Sequence, residues 1–80
     1  MFSKYIQAAM RRAHYEMLTD DNQYYGEIPG LQGVYATGDT LEACREELAE
    51  VLEDWILIRI SRHLSIPIID NIDITVKEVA

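Results

Sequence analysis

Apolar residues recur at helical spacing in two stretches of this chain and alternate with polar ones in four shorter stretches. Phe2, Ile6, Ala9 and Met10 share one side of a helix, with Tyr5 beside them and Ser3 placed to cap it. The spacing predicts a short amphipathic helix over residues 2–12. Tyr15 and Met17 then alternate with His14 and Glu16, and Tyr24, Gly26 and Ile28 alternate with Tyr25 and Glu27. Thr19-Asp20-Asp21-Asn22 between them is a cluster of turn formers. Together they predict a hairpin, with strands near 13–19 and 23–28 and a turn near 20–22. Pro29-Gly30 ends the second strand, because proline lacks the ladder N–H and glycine opens positive φ. GVYATG gives a third short strand, with Val34 and Ala36 on one face and Tyr35 and Thr37 on the other; Gly33 and Gly38 bracket it.

The longest periodic segment is GDTLEACREELAEVLEDWILIRISRHL. Asp39 with Glu42 resembles a capping box, and Thr40 is an equally good cap one residue on. Leu41, Cys44, Leu48, Val51, Trp55 and Ile58 form one apolar stripe at intervals of three and four. A helix over 40–64 follows, roughly 37 Å long at about 1.5 Å per residue. Ser65 and Pro67 end it within the loop SIPIIDN. Ile72, Ile74 and Val76 alternate with Asp73, Thr75 and Lys77, which predicts a closing strand.

The order helix–β–β–β–helix–β predicts an α+β fold of two layers, a sheet packed on one long helix. A last strand reached through a helix runs parallel to the strand it joins. The long helix changes character halfway. Its first half carries Glu42, Glu46, Glu47, Glu50 and Glu53 outward, whereas from Trp55 to Ile60 only Arg59 interrupts the apolar residues. One sheet covers one face of a helix, so the second half must meet something else. A second copy of the chain, docked on Trp55, Ile56, Ile58 and Ile60, is the expected answer, giving a homodimer or higher oligomer. The competing answer is the first helix folding back over it.

Eighty residues make one domain, and one small enough to gain from oligomerisation. Fourteen acidic against seven basic residues give a net charge of −7. That balance suits basic partners and disfavours direct nucleic-acid binding, which needs clustered Lys and Arg. The one cysteine cannot form an internal disulfide. The first residues lack a signal-peptide pattern, and the longest apolar run, Trp55–Ile58, is far too short to span a bilayer. A cytoplasmic location is expected.

Candidate chemistry is thin. Cys44 occupies a stripe position, where cysteine acts as a small hydrophobe rather than a nucleophile. His14 and His63 belong to no metal spacing, and His63 suits the negative end of the helix dipole. Glu16 and Asp73 could lie on neighbouring strands and bind Mg²⁺, but both fall on outward faces and no third acid converges on them. GVYATGDT leads into a helix N-terminus as phosphate cradles do, yet Asp39 puts a negative charge where the phosphate would sit. No enzyme activity, metal or cofactor is therefore expected.

At EIPGLQGVYATGDTLEACREELAEVLEDW the chain resembles the HicB antitoxin family. The residues that carry the resemblance are Ile28, Pro29, Gly30, Gly33, Gly38, Asp39, Thr40, Glu42 and Ala43, with Ile66 and Pro67 downstream. The likeness covers about residues 13–79, and its motif residues are structural. It implies a partial ribonuclease-H-like fold without catalytic acids. It implies an antitoxin that binds and neutralises a HicA-type toxin, a small basic mRNA-cleaving protein, by protein–protein contact. Longer members add a C-terminal DNA-binding segment; this chain resembles the short form without one, so DNA repression is not expected. Residues 1–12 then read as an N-terminal helical extension and 13–80 as the HicB-like domain. Tyr25, Glu27, Tyr35 and Thr37 are the candidate partner-binding residues. A solitary oligomeric module of the same fold, serving interaction or ligand binding without a toxin, is the other expectation; a small hydrolase or nuclease is a distant third.

Overall fold

A computed structural model describes residues 2–74 of the chain. The element order is α1 (Phe2–Arg11), β1 (His14–Leu18), β2 (Gln23–Glu27), β3 (Tyr35–Gly38) and α2 (Leu41–Ser61). The fold is α+β: an antiparallel sheet in the order β1-β2-β3, with α2 laid across β3 and β2. The closing strand expected from Ile72 onward runs into 75–80, which lie outside the described residues.

Local chemistry explains each corner. The β1–β2 loop turns through Asp21, whose N–H donates to the Leu18 carbonyl, and through Asn22 at φ 51°. Asparagine tolerates that left-handed region better than most residues. Between β2 and β3 the chain closes a tight loop. Ile28 N–H donates to Val34 O, Leu31 N–H to Ile28 O and Val34 N–H to Leu31 O. Gly30 and Gly33 sit at φ 89° and 94° in that loop, where a side chain would be strained, and Leu31 plugs into the core.

Thr40, not Asp39, caps α2: its Oγ1 accepts the Ala43 N–H at 3.0 Å. The expected Asp39–Glu42 box therefore does not form, since the third helical residue after Thr40 is Ala43. Asp39 instead accepts from Gln23 Nε2 at 3.3 Å. The helix ends earlier than 64, with Arg62 as C-cap. His63 follows at φ 55°; its N–H donates to Ile60 O and that of Leu64 to Arg59 O. These two bonds are a Schellman ending, with histidine at the position glycine usually takes. The chain then turns again between Ile69 and Ile72, which exchange two backbone hydrogen bonds across Asp70 and Asn71, both at positive φ. That is the signature of a two-residue type I′ turn.

The buried line of α2 corrects the expected stripe. Cys44, Leu48, Leu52 and Ile56 are buried, whereas Leu41 and Ile58 are exposed and Val51 and Trp55 half-buried. Steps of four residues rotate a line by about 40° each, so the buried face turns by about 120° from Cys44 to Ile56. The cause is a change of neighbour. The first half of α2 rests on the sheet, and the second half meets α1 and the segment after Arg62, which buries Ile66, Ile69 and Ile74.

The first helix also buries a different side from the expected one. Tyr5, Ala8 and Ala9 are buried; Phe2 is exposed, and Ile6 and Met10 lie partly covered at the margin. Small alanines let α1 approach closely. Tyr5 fills the space and donates its hydroxyl to Pro67 O at 2.6 Å. Arg12 adds an ion pair to Asp70 at 2.7 Å, with Arg11 at 3.7 Å. So α1 does fold back over the second half of α2, the competing answer above. Ile56, expected at an interface between copies, is 2% exposed inside this chain's own core, because α1 covers it.

Candidate functional site

The sheet has two unlike faces. Inward positions bring Gly26, Ala36 and Gly38 under α2. Both sheet glycines are set by space. A Cβ on Gly38 would stand 2.5 Å from the Cys44 backbone N, and one on Gly26 would stand 2.8 Å from the Tyr15 ring. Among the described residues no element packs on the opposite face. There Glu16 pairs across from Tyr25, Tyr25 from Thr37, and Glu27 from Tyr35.

Tyr25 and Tyr35 stack with ring centroids 6.2 Å apart at 29°. The Tyr25 hydroxyl donates to Glu27 Oε2 at 3.3 Å. Partial desolvation, then the charge and hydrogen bond of Glu27, raise the Tyr25 phenol above its ordinary range. Tyr35 is 58% exposed, and Glu16, Glu27 and Thr37 are exposed too. The four residues singled out from the sequence, Tyr25, Glu27, Tyr35 and Thr37, are thus one surface. Glu16 completes it and was missed as a partner of Tyr25, because strand register is invisible before the hairpin is fixed.

The motif residues border this surface, and Pro29, Gly30 and Gly33 share a shallow depression with Glu27 and Tyr35. Pro29, Gly30 and Gly33 shape the β2–β3 loop; Gly38, Asp39, Thr40 and Glu42 shape the start of α2. The residues expected at an oligomer interface divide. Trp55 is half-buried, its Nε1 donating to Gln32 O at 3.1 Å and its ring receiving the Arg59 guanidinium at 4.9 Å. Ile60 is half-buried against the core, and Ile56 is within it. Ile58 is open to solvent, as is the unexpected Leu57; Leu64 and Ile68 are exposed as well.

Cys44 is buried, its thiol donating to Ala36 O at 3.6 Å, and burial pushes it above the usual thiol range. Among the described residues no group of three or more His, Cys, Asp or Glu is placed to hold a metal. An open groove of about 870 Å³ lies between α1 and the start of α2, over Tyr15, with Ile6, Met10 and Leu41 on its walls. It exists because α2 rests on β3 and β2 and leaves the inner side of β1 partly bare. Among the described residues no buried polar side-chain atom lacks a partner.

Burial has a testable pH consequence. Desolvation raises Cys44 above 9.0 and Tyr5 and Tyr15 above 10.0, favouring the neutral form in the fold. Their contribution is intact below the unfolded values and is lost as pH rises through the raised ones. The urea midpoint should hold from neutrality to about pH 8.5 and fall by about pH 11. A midpoint that rises over that window would contradict the burial of these groups.

The comparisons agree with this architecture. A family model described as UPF0150-like matches residues 4–67. The chain is similar to the crystal structure of TTHA0281 from Thermus thermophilus, with a TM-score of 0.88 and 42% identity, over 96% of this chain and 95% of that one. No curated protein matches. Among the described residues no helix is long and apolar enough to cross a membrane.

Proposed function

The chain belongs to the UPF0150-like family, and from that premise we propose that it is a HicB-like antitoxin, which neutralises a basic HicA-type mRNA-cleaving toxin by protein contact. The reading includes a partial ribonuclease-H-like sheet, no enzymatic activity of its own and a cytoplasmic location. The observation that carries it is the acidic exterior. Glu42, Glu46, Glu47, Glu50, Glu53 and Asp54 are all exposed along α2, and the chain holds −7 overall. Such a surface steers a basic protein toward it and repels RNA, so it can shield a nuclease without binding its substrate. The glycine- and proline-rich motif fits the same reading, because Gly30 and Gly33 hold a tight loop and Gly38 admits the start of α2. Co-expression with the product of a neighbouring short basic reading frame tests it. A complex that survives purification and weakens with salt is expected. No complex at about micromolar concentration would overturn the reading.

A second reading, a solitary oligomeric module without a toxin, shares one observation with the first. Leu57, Ile58 and Ile68 are 57%, 51% and 59% exposed, although α1 already covers Ile56. Exposed apolar side chains in this number suit association between copies, under either reading. The protein should therefore show an oligomeric mass in light scattering, and Leu57→Glu with Ile58→Glu should reduce it. A monomeric parent protein would refute the oligomer.

A further inference from the structure

We propose that the open sheet face receives an arginine side chain from a basic protein partner, with the guanidinium laid against Tyr25 and Tyr35 and bonded to Glu27. The inference deepens the partner reading above and rests on it for the partner's basic character; the surface itself is read from geometry. Three observations converge. The stacked tyrosines offer aromatic faces, one of them on the largely exposed Tyr35. Glu27 stands across from Tyr35 and Glu16 across from Tyr25, so carboxylates flank the ring pair along both strand pairings. Neither carboxylate has an ion-pair partner among the described residues, where the ion pairs join Arg11 and Arg12 to Asp70. Among the described strands the outward positions carry no Lys or Arg; His14 lies at the edge, across from Glu27.

A flat, weakly hydrated cation satisfies all of this together. A guanidinium stacks on tyrosine faces and presents two parallel N–H groups to a carboxylate. An ammonium can meet the charge but not the flat stacking or the fork, so arginine is favoured over lysine. A bound guanidinium would compete with the Tyr25 hydroxyl for Glu27, which links occupancy to the tyrosine spectrum.

The test titrates acetyl-Gly-Arg-Gly-amide and its citrulline analogue into the protein while following the tyrosine ring signals by NMR. Saturable shifts of Tyr25 and Tyr35 are expected with the arginine peptide at about 10 mM, with little response to uncharged citrulline and none at the buried Tyr5 ring. Tyr35→Ala and Glu27→Gln should each weaken the response about tenfold while leaving the amide spectrum of the core in place. No saturable shift, or equal shifts with both peptides, would overturn the assignment. A second arm uses the basic partner itself. If it binds the parent and both variants equally, this surface is wrong and the partner reading stands. If no partner binds but the arginine peptide does, the partner reading fails and the surface stands.

Discussion

Gly38→Ala should cost this protein about 3 kcal/mol, a large share of what a domain this small holds. The added Cβ would lie 2.5 Å from the Cys44 N, 2.9 Å from its Cα and 3.0 Å from the Ala43 carbonyl carbon. These are backbone atoms in the first turn of α2, pinned there by the Thr40 cap and the Cys44 N–H bond to Thr40 O. No side chain can swing aside, so the whole helix start must lift from β3. Gly30→Ala is the control. Its Cβ meets nothing within 4 Å, but its φ of 89° strains any side chain. That conformational penalty is about 1–2 kcal/mol. Urea denaturation of both variants should therefore rank Gly38→Ala as the more damaging. The reverse order would mean that α2 does not press on the sheet as described.

Leu52→Ala should cost about 2–5 kcal/mol, whereas Ile58→Ala should stay near or below about 1 kcal/mol. Leu52 is fully buried and Ile58 is 51% exposed. Leu52 is enclosed within the single core cluster to which α1, the sheet and the Ile66–Ile74 segment all contribute, so the space left by its side chain cannot collapse cheaply. The pair also decides between two registers of α2. A uniform stripe through Val51, Trp55 and Ile58 predicts the opposite ranking. Denaturant midpoints measured at one slope would separate the two, and a more damaging Ile58→Ala would restore the uniform stripe.

These two predictions mark where the sequence was legible. Alternation in His14–Glu27 and Val34–Thr37 revealed the three strands and which side of the third faces inward. Local polar chemistry placed the helix start within one residue, at Thr40 or Asp39. The buried line of α2 was not legible, because periodicity assumes one partner along a helix. Here the partner changes from sheet to α1, and the buried face follows it. Gly38 does end β3 as read, but its close approach to α2 leaves no mark on local spacing. The open sheet face was partly legible. Tyr25, Glu27, Tyr35 and Thr37 alternate outward, but their grouping with Glu16 needs the register of β1 against β2.

The stacked tyrosines and the acidic side of α2 lie on opposite sides of the sheet, and under the proposed reading each favours a basic protein partner. Under the proposed reading, the acidic exterior repels RNA and attracts a basic nuclease. One measurement addresses that reading most directly. A short basic protein encoded beside this chain is sought and assayed for cleavage of an mRNA while this protein is added in increasing amount. Cleavage should cease near a fixed stoichiometric ratio, and the protein alone should leave the mRNA intact. Cleavage that continues unchanged in the presence of excess folded protein would contradict the account.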